Sequence, residues 1–136
     1  MTAKEYLIGA IDIERLINAK RRTLKKLKAQ SKSLSSPVLG DKVKSSNSGN
    51  MSAVEMLIDL EREIEDQERQ LIEKQKEIIN RIQLVYNPTL IAVLTDHYIN
   101  GHSLAKIAED MEVSERTACV WHGQALQIFR RETGYK

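Results

Sequence analysis

Few residues of this chain can do chemistry of their own. Its soft metal ligands are three histidines, His97, His102 and His122, and a single cysteine, Cys119. Cys119 and His122 stand three positions apart and share a helix face. A zinc site wants about four ligands, so two do not make one, and neither a metal nor another cofactor is expected. The sequence has no glycine-rich phosphate loop and no nucleophile elbow. The glutamates clustered between Glu61 and Glu77 read as a solvated helix face rather than a catalytic pair. No enzyme is expected, and what remains for the side chains is recognition.

The elements that would position recognising residues lie near the carboxyl end. From His102 to Arg131 the chain reads as a helix-turn-helix. Ser103 can cap a short helix, its hydroxyl accepting from an orphan backbone N–H of the first turn. Leu104, Ile107, Ala108 and Met111 then make one apolar stripe, and the small Ala108 permits close approach of a second helix. Glu112-Val113 is the break, with Val113 placed to plug between the helices. Ser114 caps the longer second helix, whose buried face is expected to be Ala118, Trp121, Ala125, Leu126 and Phe129. A short helix, a tight turn and a longer helix form the arrangement that lays a recognition helix in the DNA major groove. A third helix precedes this pair. Asn87-Pro88 opens it, Leu90, Val93, Leu94, Tyr98 and Ile99 are its apolar face, and Gly101 supplies the left-handed residue that ends it.

These residues resemble region 4 of bacterial sigma factors, the module that reads the upstream promoter element. The matching features are Tyr98 to Gly101, Ser103-Leu104, Ile107-Ala108-Glu109, Val113-Ser114 and Ala125-Leu126. With the amino-terminal half included, the chain is similar to the small sigma-like regulators of phages and prophages (the ArpU and RinA type). The resemblance covers about a third of the chain well, and the rest only in character. It implies a transcriptional regulator whose partner is double-stranded DNA, acting at a promoter alone or with RNA polymerase. By position, the site residues it implies are Ser114, Glu115, Arg116, Cys119, Val120, His122 and Gln124. Among them Arg116 is the clearest reader of a base or phosphate, and Gln124 can bond adenine. Glu115 is better explained by the favourable field at a helix amino terminus. The charge of this segment opposes DNA binding. Residues 87–136 hold five Lys/Arg against six Asp/Glu, a net −1 where a basic footprint is usual.

Composition favours long solvated helices over a large core, with 4% aromatic and 29% charged residues in 136. A lone cysteine can form no internal disulfide, which suits the reducing cytoplasm of a bacterial host cell. No stretch approaches the ~20 apolar residues of a membrane span, and no signal peptide is legible.

The amino-terminal helix opens on a capping box, Thr2 with Glu5, and runs to about Leu34. Tyr6, Ile13, Leu27 and Leu34 fall on one seven-residue register and Ala10, Ile17 and Leu24 on another, with Lys20 and Ser31 as faults. Leu7, Ile8, Ile11 and Leu16 add apolar surface and suggest burial on more than one side. Its second half carries Lys20, Arg21, Arg22, Lys25, Lys26, Lys28 and Lys32 with no acid among them. Such a run contacts phosphates or pairs with acids elsewhere, and the acidity of the next helix favours pairing.

A Ser-rich linker is expected over 35–51, broken by Pro37 and Gly40. Ser52 with Glu55 is a second capping box, opening a helix to about Tyr86 on which Leu57, Ile64, Leu71, Ile78 and Val85 repeat every seven residues. Residues 1–34 carry nine Lys/Arg against three Asp/Glu, net +6; residues 51–86 carry five against nine, net −4. Opposite charge, equal length and matching heptads predict an antiparallel hairpin, either within one chain or across a homodimer. The expected architecture is all-α: a coiled-coil-like hairpin over 1–86, then a three-helix helix-turn-helix domain over 87–136.

Overall fold

The computed structural model describes residues 1–34 and 43–136. Among them every regular element is helical: α1 (Ala3–Leu34), α2 (Val43–Ile82), a 3-10 turn (Gln83–Val85), α3 (Pro88–Tyr98), α4 (Leu104–Met111) and α5 (Glu115–Thr133). No helix among the described residues is long and apolar enough to cross a membrane. Two compact units share these elements. One comprises Met1–Ile13 with Leu71–Lys136, the other Glu14–Gln70.

In the first unit the local signals act as their chemistry requires. The Thr2 amide donates to Glu5 Oε2 at 2.9 Å and the Glu5 amide to Thr2 Oγ1 at 3.2 Å, so the box satisfies two orphan donors of α1. Asn87 caps α3 by accepting from the Leu90 amide at 3.1 Å, with Pro88 at the first helical position. Ser103 caps α4 by accepting from the Lys106 amide, also at 3.1 Å. Gly101 has φ +72°, the left-handed conformation a side chain resists. The α4–α5 turn uses a left-handed residue too, Glu112 at φ 58°, and there the Val113 amide donates back to the Ala108 carbonyl at 3.0 Å.

Most of this unit's core is one cluster, with Val93, Ile107, Ala108 and Ala118 buried outside it. Ala3, Tyr6, Leu7 and Ala10 from α1 join Ile78 and Ile82 from α2 and Val85 from the 3-10 turn. Leu90, Leu94 and Tyr98 from α3 and Ala125, Leu126 and Phe129 from α5 complete it. The Tyr6 ring stacks on Tyr135 at 4.8 Å between centroids and on Phe129 at 6.2 Å. Lys74 Nζ lies 4.3 Å from the Tyr6 centroid, a cation–π contact, and Arg81 Nη1 donates to Tyr135 Oη at 2.8 Å. Tyr135 reaches this stack because Gly134, at φ +79°, turns the chain out of α5. The Ala3 amide donates to the Lys136 carbonyl at 2.9 Å, which joins the first turn of α1 to the segment following α5.

The second unit is held differently. Among its described residues the fully buried apolar side chains are Ile17 and Ile64, while Leu24, Leu27, Leu57 and Leu60 are half-buried. Across it run ion pairs from Lys20 to Glu63 at 3.2 Å, Lys28 to Glu61 at 3.1 Å, and Arg21 to Glu68. Lys28, the last of the three along α1, pairs with Glu61, the first of the three acids along α2, while Lys20 and Arg21 pair with the later Glu63 and Glu68. Lys20, a fault in the heptad, is half-buried, and its ammonium is satisfied by Glu63.

Four expectations need correction. α2 starts at Val43, so the linker expected over 35–51 is helical in its second half, and Ser52 lies inside the helix rather than at a cap. Extending an existing helix through Ser, Asn and Gly costs only their propensities, up to about 1 kcal/mol each, whereas starting a new one costs a nucleus. The breaks at Pro37 and Gly40 lie outside the described residues. At its other end α2 stops at Ile82, and the chain reaches a left-handed Tyr86 (φ 62°) through the 3-10 turn. Third, Ile8 and Leu16 are exposed, so of the extra apolar residues of α1 only Leu7 is fully buried. Fourth, Trp121 is half-buried at the margin of the core.

Candidate functional site

The residues expected to recognise a partner all lie on or beside α5, which packs on α3 and α4 in the first unit. Ser114 spends its hydroxyl on structure. Its Oγ accepts from the Thr117 amide at 3.1 Å and lies 2.8 Å from Thr117 Oγ1. Glu115 opens the helix, where a carboxylate favours the amino-terminal dipole end. Arg116, Cys119, Val120 and Gln124 are exposed. At ~100° per residue Arg116, Cys119 and Val120 share one strip, with Gln124 at its edge.

His122 does not belong to that surface. It is 8% exposed and its Nε2 lies 2.8 Å from the Tyr98 hydroxyl. Burial pushes the Tyr98 hydroxyl up to about 12, so it keeps its proton and shares a hydrogen bond with the imidazole. Burial foremost, then nearby His97 and Lys4, pulls His122 down to about 4 and holds it neutral. His97 stands edge-on to it at 5.1 Å and donates from Nδ1 to the His102 carbonyl at 2.8 Å. The histidine assigned to reading bases is therefore a core residue. Its spacing from Ala118, Ala125 and Phe129 is four, three and seven positions, which centres it on the buried stripe. Trp121, the residue expected there, lies about 80° to one side.

Extending the exposed strip by the same spacing reaches three polar or small positions absent from the expected set. Gly123, Gln127 and Arg130 follow Arg116 and Val120 on the solvent side. Their signal in the sequence was the complement of the apolar stripe. Among the described residues no group of three or more His, Cys, Asp or Glu is placed to hold a metal ion, and Cys119 is a free, exposed thiol.

The geometry thus offers an exposed helical strip with one arginine near its start and another near its end, backed by a buried histidine–tyrosine pair. The chain matches none of the curated proteins and none of the solved structures. A family model described as "Protein of unknown function (DUF1492)" matches residues 33–129, which takes in α2 to α5 as far as Phe129. That match spans more than half of the 136 residues, and the chain belongs to the DUF1492 family.

Proposed function

We propose that this chain is a transcriptional regulator of phage or prophage type that binds promoter DNA through a sigma region-4-like helix-turn-helix, acting alone or with RNA polymerase. In this reading residues 87–136 recognise DNA, with α5 as the recognition helix. Residues 1–86 form an antiparallel two-helix hairpin within one chain, supported by the pairing of Lys28 with Glu61 while the earlier Lys20 and Arg21 pair with the later Glu63 and Glu68. One observation carries the proposal. After the capped, left-handed turn at Glu112, α5 opens with Arg116, Cys119 and Val120 facing solvent while Ala118, His122 and Ala125 face the core. That is the side-chain division a major-groove helix needs.

The test is footprinting of promoter DNA by the full-length chain, with and without polymerase. Arg116→Ala is expected to weaken the footprint by about 1–3 kcal/mol, the worth of a bidentate guanine contact. Identical footprints from both proteins would remove Arg116 from the site.

A second reading has its own support. Residues 87–136 carry a net −1, and the exposed strip includes Val120 at 50% exposure beside Cys119. A neutral, partly apolar strip suits a protein surface better than a phosphate backbone. On this reading the chain is an interaction module docking on polymerase or another protein partner, and no footprint under any condition would favour it.

A further inference from the structure

The basic run of α1 is divided by the structure into two sets. Lys20, Arg21 and Lys28 are occupied by Glu63, Glu68 and Glu61. Arg22, Lys25 and Lys26 are exposed, and among the described residues none of them has an acidic partner. Yet α2 is rich in acids, so these three cations were not left over for want of carboxylates. They point away from the seam. At ~100° per residue the half-buried Leu24 and Leu27 mark the seam side, and Lys25, Arg22 and Lys26 lie successively further round the helix.

We infer that this face of α1 is a binding surface for the phosphate backbone of duplex DNA. The inference builds on the DNA-binding reading, but it rests on different residues and concerns the unit Glu14–Gln70 alone. Three features select this partner. The cations occupy ~6 Å of helix axis, and one DNA strand presents a phosphate every ~3.4 Å of its own axis, so the three can engage successive phosphates. The face lacks large apolar side chains: Thr23, Ala29 and Gln30 are the exposed neighbours, whereas a helix lying in a membrane surface needs an apolar side to insert. Finally, residues 87–136 are net −1 and can neutralise few phosphates, so a chain that binds DNA must find its cations elsewhere. The segment Glu14–Lys32, with eight Lys/Arg and one acid, is where they are.

The test is fluorescence anisotropy of the full-length chain on a labelled random-sequence duplex, from about 50 to about 300 mM salt. Three proteins are compared: wild type, the triple variant Arg22→Gln/Lys25→Gln/Lys26→Gln, and an equal-charge control, Arg62→Gln/Arg69→Gln/Lys76→Gln, on the acidic helix. Each phosphate contact contributes ~0.9 to the slope of log K against log salt, so the α1 triple variant should flatten it by about 2–3. The control should move it by less than half as much. Circular dichroism checks that the variants keep their helices, and Arg22→Lys, which preserves the charge, should retain the wild-type slope. Equal losses in the variant and the control would overturn the inference. So would an unchanged slope in the variant, absence of wild-type binding at the lowest salt, or tighter binding to phosphatidylserine vesicles than to duplex. Arg116→Ala separates this inference from the reading it builds on. Normal promoter preference with an unchanged α1 slope sinks the inference alone, whereas an α1-dependent slope with no promoter preference sinks the site-specific reading alone.

Discussion

The two units are built from the same pair of long helices, yet what holds each is different. In the unit of Met1–Ile13 and Leu71–Lys136, a third layer covers the helices, and aromatic rings from three parts of the chain stack on one another. Among the described residues of the unit Glu14–Gln70, two buried isoleucines and a set of largely exposed ion pairs replace that layer. Exposed pairs are each worth roughly 0–1 kcal/mol, whereas burying one large side chain is worth about 1.5–3 kcal/mol. Stability should therefore be concentrated in the first unit, with the second opening first. A single heptad pattern does not make a helix pair uniform; the cover placed over it decides.

The largest effect expected from this contrast is on a fragment of residues 87–136. It keeps all three short helices but loses Ala3, Tyr6, Leu7, Ala10, Ile78, Ile82 and Val85 from its core. Such a small chain has little surplus to lose. It should show low helicity and no cooperative melt by circular dichroism, and a sharp thermal transition would mean that the α3–α5 layer stands alone.

Next come matched truncations in the two units. Phe129→Ala, in the covered unit, should cost about 3–5 kcal/mol in urea unfolding. Ile64→Ala should cost about 2 kcal/mol or less, because the half-exposed seam around it can relax. Equal costs would erase the distinction between the units.

Acid should separate them further. His122 is held near 4 in the fold against about 6.5 when unfolded, so folding excludes a proton the unfolded chain would take up. Its contribution is intact above about pH 6.5 and is lost as pH falls toward 4. The loss should reach about 2–3 kcal/mol, since a tenfold change in proton affinity is worth about 1.4 kcal/mol. His122→Gln removes this titration while leaving Tyr98 a partner. Wild-type melting temperature should fall between pH 6.5 and 4, and the variant should be flatter there. Parallel curves would place the acid sensitivity elsewhere.

The smallest effect expected is at an ion pair. Lys28→Ala removes the contact to Glu61 and should cost under about 1 kcal/mol at low salt, and less again at high salt as screening grows. A larger, salt-independent loss would show that the second unit depends on its charges more than its exposure suggests.

What could be read in the amino-acid sequence alone was local. Asn87, Ser103 and Ser114 accept from amides three residues on, Thr2 and Glu5 bond each other, and Gly101 takes a left-handed φ. Each acts within one helical turn through local side-chain chemistry, although the same signal at Ser52 and Glu55 lies inside α2, where the helix already begun at Val43 runs through it. The seven-residue repeats are legible for the same reason, since a period needs no knowledge of the partner. Three outcomes needed the tertiary structure. His122 sits at the centre of the α5 stripe and Trp121 to one side of it, and a polar ring can hold the buried place because Tyr98, from another helix, shares a hydrogen bond with it. Tyr6 looks like an ordinary heptad residue until Tyr135 and Phe129 arrive from the far end of the sequence to stack on it. The seven cations of α1 are alike in sequence, and only the approach of Glu61, Glu63 and Glu68 separates those that hold the fold from those that face solvent. Burial, stacking and ion pairing are all decided by groups far apart in the chain, and no local pattern says which of them will meet.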